Sequence, residues 1–201
     1  ASRTEALCKS FIDRLVELHQ VDYHACGLAD LGKPEGYVQR QIEGWTSRYE
    51  KALTPDAPRW EAVKLWLQNK MPADHPTPAI VHNDYRFDNV ILDSTNPMRI
   101  IGVLDWEMAT LGDPLMDLGS ALAYWVQADD NALMQATRRQ PTHLPGMLRR
   151  QEVIEYYLDR SGLGARVDLR DFTFYEVYGL FRLAVIAQQI YYRYHHRQTR
   201  N

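Results

Sequence analysis

AIVHNDYRFDNVILDSTNPMRIIGVLDWEMATLGDPLMDLGSALAY, residues 79–124, is the stretch around which the rest of this 201-residue chain is arranged. Its first apolar run, residues 79–81, stops at His82-Asn83-Asp84, where a short strand hands over to a polar loop. Asn89 lies five positions beyond Asp84, and a second apolar run, residues 90–92, follows at once. After the turn signal Ser94-Thr95-Asn96-Pro97, a third run, residues 100–104, delivers Asp105. If the second and third runs pair as a hairpin, Asn89 and Asp105 arrive at the same end of it, and Asp84 joins them.

Such a cluster has a chemical use. Magnesium is a hard cation that takes oxygen ligands, retains several waters and needs only one or two protein groups beside phosphate oxygens. Asn89 and Asp105 supply groups of that kind. Asp84, held nearby but off the metal, can accept or orient the proton of an attacking hydroxyl. Positioning and charge neutralisation would then do most of the work of phosphoryl transfer.

The motifs resemble those of the kinase-like small-molecule phosphotransferases, which include aminoglycoside phosphotransferases, choline kinases and the kinase-like domains associated with acyl-CoA dehydrogenases. The family pattern of His-Gly-Asp, four residues, Asn is similar to His82-Asn83-Asp84-Tyr85-Arg86-Phe87-Asp88-Asn89 here; Asn83 replaces the usual Gly, and Asn also tolerates unusual backbone angles. Asp105-Trp106-Glu107 stands where the family carries its metal-binding Asp, and Gly112-Asp113-Pro114-Leu115-Met116-Asp117-Leu118 matches a further signature. The resemblance covers the catalytic half of the family only. It implies Mg2+ and ATP as cofactor and co-substrate, with Asn89 and Asp105 on the metal, Glu107 as an outer helper and Asp84 as base. His82 supports the loop, and Asp113 or Asp117 buttresses it, with a plain helix cap as the alternative for Asp113. Arg86 would neutralise phosphoryl charge; its alternative is a surface Arg paired with Asp88. Ile91, Ile101 and Val103 would form the lower wall of an adenine pocket. Glu176, Tyr178, Arg182 and Gln189, on the last helix, would face the acceptor, although an internal carboxylate partner for Arg182 is the competing reading. The acyl-CoA-dehydrogenase-associated branch implies a hydroxy acid or hydroxyacyl acceptor.

Composition agrees with one globular unit. The chain is 45% hydrophobic and 24% charged, with a formal net charge of −3, which gives no reason to expect nucleic acid or an anionic membrane as partner. Cys8 and Cys26 read as reduced thiols of a cytoplasmic protein. No apolar run approaches the ~18 residues of a membrane span. The first residues are too charged for a signal peptide, and the start at Ala1 suggests a processed or truncated protein.

Along the chain, residues 4–20 place Leu7, Phe11, Leu15 and Leu18 at helical spacing. His19 and His24 flank its end and read as ordinary histidines, with a metal pair as the alternative. Residues 27–36 form a loop, residues 35–53 a second helix, and residues 58–71 a third with Trp60, Val63, Leu65 and Trp66 as its apolar side. Residues 71–78, rich in Pro, lead into the first strand. Residues 113–126 read as a helix with Asp113 as N-cap and Pro114 in the first turn. Residues 127–145 are expected to be an exposed insertion, a surface loop or a substrate lid. Helical spacing resumes over residues 146–160 and again over residues 169–196, and the basic end, residues 193–200, reads as a solvated tail.

A kinase also needs a Gly-rich loop and a Lys over the phosphates, carried by an N-terminal sheet lobe. Neither precedes Ala79. The expectation is therefore a single domain, residues 1–201: a mostly helical α+β, C-terminal lobe of a protein-kinase-like fold, with a small β-hairpin carrying the catalytic and metal residues. Its missing partner is the N-terminal ATP-clamp lobe, and the isolated chain is expected to be inactive. The function expected is an ATP-dependent phosphotransferase acting on a hydroxyl of a small molecule. The alternatives are a pseudokinase or interaction module, a metal oxygenase built on His82, Asp84 and His143, and a protein kinase, whose Ala-Pro-Glu motif the chain lacks.

Overall fold

The computed structural model describes residues 2–164, 167 and 169–199; Ala1 and Arg200, the last residue of the basic run, lie outside them. Among the described residues, seven α-helices and four short strands follow one another: α1 (Arg3–His19), α2 (Tyr37–Lys51), α3 (Glu61–Asn69), β1 (Ala79–Val81), β2 (Val90–Leu92), β3 (Ile100–Val103), β4 (Thr110–Gly112), α4 (Pro114–Leu122), α5 (Ala132–Thr137), α6 (Arg150–Ser161) and α7 (Thr173–His195). Local chemistry explains most boundaries. Ser2 caps α1 by accepting from the Glu5 N–H, Asp113 caps α4 by accepting from the Leu115 N–H, and Gly162 ends α6 at a φ of 75°.

The expected hairpin is present, β2 against β3, with Val90 opposite Val103 and Ile91 opposite Gly102. Strand β4 has no counterpart among the sequence expectations. It runs antiparallel to β1, pairing Ala79 with Gly112 and Val81 with Thr110, so the chain returns to the first strand just before α4 begins. That pairing sets Gly112 beside Ala79, at the start of β1, and α4 then carries Asp117 back to the backbone of His82 and Asn83.

The core is built on α4, every residue of which is buried, and on the α7 face carrying Tyr175, Tyr178, Phe181 and Val185. The two helices cross where Gly119 meets Gly179: a Cβ on either glycine would collide with backbone of the opposing helix. Around this pair pack Phe11, Ile12 and Leu15 of α1, Trp45 and Tyr49 of α2, and Tyr157 and Leu158 of α6. On α3, Leu65 is 57% exposed, against expectation, while Lys64 is buried and ion-paired to Glu50 and Glu61. Its ammonium reaches two carboxylates, a role that apolar spacing does not reveal.

Residues 127–145 are not a bare loop. They contain α5, capped by the Asn131 side chain, and they bury Gln140 and Thr142. No helix among the described residues is long and apolar enough to cross a membrane.

Candidate active site

The loop after β1 is held chiefly by one carboxylate. Asp117, on the first turn of α4, is wholly buried and accepts from the backbone N–H of His82 (2.7 Å) and of Asn83 (2.8 Å). Its Oδ2 also lies 3.1 Å from His19 Nε2, and His19 Nδ1 lies 2.7 Å from the Tyr157 hydroxyl. Burial works against the charge of Asp117, but the His19 hydrogen bond and charge, with the two backbone donors, outweigh it and hold the carboxyl below its ordinary range. Asp113 lies in the opposite situation. Burial pushes its carboxyl up against the Leu115 N–H bond, and its Oδ2 has no hydrogen-bond partner among the described residues. Of the two buttress candidates, Asp117 touches the loop and Asp113 caps the helix.

Asn83 takes the left-handed conformation, φ 65°, which explains how it can stand where the resemblance expects Gly. Its side chain accepts from the Tyr37 hydroxyl (3.1 Å) and donates to the Met108 carbonyl (3.0 Å), and its own carbonyl accepts from the Arg182 guanidinium. Arg182 is buried and lies 5.1 Å from the centre of the Trp45 ring. Its guanidinium donates to a neutral peptide carbonyl, where the sequence suggested an internal carboxylate or a substrate acid group.

These supports present Asp84. Its N–H donates to His82 Nδ1 (3.2 Å), and His82 Nε2 lies 2.8 Å from the Leu104 carbonyl, a pair of contacts that fits the neutral ring with its proton on Nε2. His82 thereby ties the loop to the residue before Asp105. Asn89 donates through Nδ2 to both the Asp84 carbonyl (2.8 Å) and the Asp84 carboxylate (3.0 Å), leaving Asn89 Oδ1 as an acceptor. The Leu104 N–H donates to the Asn89 carbonyl (2.8 Å), which closes the hairpin end and sets Asp105 beside the loop. Asp105 is exposed and left-handed at φ 65°, uncommon for a residue other than Gly. Arg86 Nε stands 3.5 Å from Asp84 Oδ1, and a terminal nitrogen 3.7 Å from Asp88, so Arg86 faces both the candidate base and its competing partner.

The donor set suits magnesium: the Asn89 Oδ1 left over from its bonds to Asp84, and an exposed Asp105 carboxylate that no described residue hydrogen-bonds, are both hard oxygens. By contrast, no group of three His, Cys, Asp or Glu side chains placed to hold a metal ion occurs among the described residues, which removes the His82, Asp84, His143 oxygenase triad. Both ring nitrogens of His19 are engaged, by Tyr157 and Asp117, and His24 is exposed.

Ile91 and Ile101 are exposed on the hairpin, and Val103 is half-buried against the core. The four acceptor-side candidates do not converge. Tyr178 is buried, its hydroxyl directed at Gln41; Glu176 is half-buried in a cleft with Leu122, Met134, Arg150 and Leu180; Gln189 lines a different cleft with Arg48, Lys51 and Arg193. Burial raises the Glu176 carboxyl, partly offset by the Arg150 charge. Sequence reading missed His19 and Tyr37 as supports of the loop. A helix-end histidine and a helix-start tyrosine carry no local mark of a partner far along the chain.

The profile of the phosphotransferase enzyme family matches residues 1–153. Acyl-CoA dehydrogenase family member 11 of Rattus norvegicus is 31% identical over 191 residues, 94% of this chain and 24% of that protein. Family member 10 of Mus musculus is 33% identical over 193 residues, 96% of this chain and 18% of that protein. The chain therefore spans about a quarter or less of these relatives. A solved structure of a candidate aminoglycoside phosphotransferase from Ralstonia eutropha superposes with a TM-score of 0.82 at 32% identity, covering 100% of this chain and 60% of that one. With its His82-Asn83-Asp84 loop, its hairpin and its α4 strut, the chain belongs to the phosphotransferase enzyme family.

Proposed function

We propose that this chain is the catalytic lobe of an ATP-dependent kinase that phosphorylates a hydroxyl of a small molecule. The observation that carries the reading is the Asp84–Asn89 hydrogen-bond pair at the hairpin end that also delivers Asp105. Asp84 would accept or align the proton of the attacking hydroxyl, oriented by Asn89 Nδ2. Arg86 would meet negative charge developing on the transferred group. Asn89 and Asp105 would hold a magnesium ion, which when bound neutralises phosphate charge. His82, Asp117 and His19 would keep these groups in register without touching substrate.

The exposed apolar residues Ile91, Leu92, Ile101, Leu104, Trp106 and Met108 support a nucleotide and an N-terminal lobe as the natural cover of the hairpin. On this reading the Gly-rich loop and phosphate-binding Lys belong to that lobe, and residues 1–201 alone do not transfer phosphate. The acceptor we favour is a hydroxy acid or hydroxyacyl compound, by analogy with relatives named as acyl-CoA dehydrogenases. Two free thiols, Cys8 and Cys26, support a cytoplasmic setting.

A coupled ADP assay on the full-length protein with a panel of hydroxylated metabolites tests the proposal. Asp84→Asn should lower turnover about 10²- to 10⁴-fold while nucleotide binding persists. Turnover equal to that of the parent would remove Asp84 from the role. Robust turnover by residues 1–201 alone would refute the two-lobed architecture.

A further inference from the structure

We infer that Gln140 is a positioning residue that sets Arg86 against Asp84, and this rests on the phosphotransfer reading above. Arg86 is weakly held by its own bonds. Its Nε is buried with no hydrogen-bond partner, its contacts with Asp84 and Asp88 are long at 3.5 Å and 3.7 Å, and its guanidinium lies 4.8 Å from the centre of the Tyr124 ring. What fixes Arg86 is its platform: the backbone that continues into Phe87 and the ring of Tyr124 beneath it.

Gln140 joins those two parts. It is 4% exposed, its Oε1 accepts from the Phe87 N–H at 2.8 Å, and its Nε2 donates to the Tyr124 carbonyl at 3.4 Å. Phe87 opens a short 3₁₀ turn, where an N–H has no partner within the turn, so the Gln140 oxygen satisfies a donor left over by local geometry. Two residues on, Thr142 Oγ1 accepts from the Val126 N–H (3.0 Å) and donates to the Val126 carbonyl (2.9 Å), which locks the segment in place. The Phe87 ring stacks on Phe11 at 4.2 Å, so the loop is clamped from the core side as well. Only a side chain with both a donor and a strong acceptor can do this: Glu offers no donor to Tyr124, and Met offers no donor and only a weak sulfur acceptor. The segment between α4 and α6 thus reaches back to the catalytic loop.

The test uses Gln140→Met, Gln140→Glu and Arg86→Ala in the full-length protein. Gln140→Met should lower kcat about 10- to 100-fold, the scale of a misplaced catalytic group, with KM for ATP unchanged. Combined with Arg86→Ala it should cost no more than Arg86→Ala alone. Gln140→Glu, which keeps the acceptor, should fall between parent and Gln140→Met. The Phe87 amide should exchange with solvent faster in Gln140→Met while core amides keep their protection. Losses that add to those of Arg86→Ala, or unchanged turnover in Gln140→Met, would overturn the inference. If the parent turns over no acceptor, the phosphotransfer reading itself fails. Phe87 exchange then decides the anchor alone: faster exchange supports it and unchanged exchange overturns it.

Discussion

Replacing Asp117 by Ala would remove the acceptor for three donors at once: the N–H groups of His82 and Asn83 and, across α1, Nε2 of His19. All three lie in surroundings with almost no water, since the Asp117 side chain is fully buried and that of His19 is 3% exposed. A buried donor left without a partner costs about 1–3 kcal/mol. Water entering the space left by the carboxylate would relieve part of this, so about 3–6 kcal/mol is expected for the set. Against a typical total of about 5–15 kcal/mol, that places the variant near the edge of folding. Asp117→Asn keeps one oxygen for one of the loop amides and presents an NH2 to the other, and should lose about 1–3 kcal/mol. Urea unfolding followed by circular dichroism reads these losses as shifts of midpoint at constant slope. Amide exchange at His82 and Asn83 should rise in both variants. A loss below about 1 kcal/mol for Asp117→Ala, with both amides still protected, would refute the assignment of Asp117 as the strut. His19→Phe should cost less than Asp117→Ala, and the double variant should cost less than the sum, because both remove the same hydrogen bond.

Acid should weaken the same strut. The Asp117 carboxyl titrates lower in the folded chain than in the unfolded one, so its contribution is present above the ordinary carboxylate value of about 3.9 and is lost as pH falls through the depressed folded value. An Asp117→Asn variant should lose less stability than the parent on going below about pH 4; parallel urea midpoints for the two would contradict this. Asp113 has the opposite sign, its carboxyl raised by burial, so its ionisation costs stability as pH climbs from the ordinary value through the raised one. Since Asn caps a helix about as well as Asp, Asp113→Asn should be as stable as the parent or more so at pH 7, and a large drop in Tm would show that Asp113 Oδ2 has a partner. Gly179→Ala should cost at least about 1–3 kcal/mol in urea unfolding, the range for overpacking, because the new Cβ would press on the Gly119 carbonyl; near-parental stability would mean that α4 and α7 do not pack so closely. Asn83→Gly keeps the left-handed backbone but loses the Tyr37 and Met108 bonds, whereas Asn83→Ala loses both and is strained as well, so Ala should be the less stable of the two by urea midpoint.

The sequence by itself determined the elements whose causes are local. The apolar runs before and after Asn89 became β1, β2 and β3; Asp113-Pro114 began α4; and the spacing of Asp84, Asn89 and Asp105 placed all three at one hairpin end once β2 paired with β3. The family is written in the same residues. What the tertiary structure decided is which polar groups meet across long separations. Neither β4, three residues with one glycine, nor the partnership of His19 with Asp117 has a periodicity to announce it. Arg182 looked like a charge in want of an anion, and its partner is the carbonyl of the left-handed Asn83, which no residue-type rule would nominate. Residues 127–145 are mostly exposed, as their polarity suggested, yet Gln140 and Thr142 among them are buried by the backbone groups they satisfy. Apolar burial follows a pattern along the chain because it is non-directional and repeats with the element. A buried hydrogen bond requires one particular donor to face one particular acceptor, and that alignment exists only once the whole chain has closed around it.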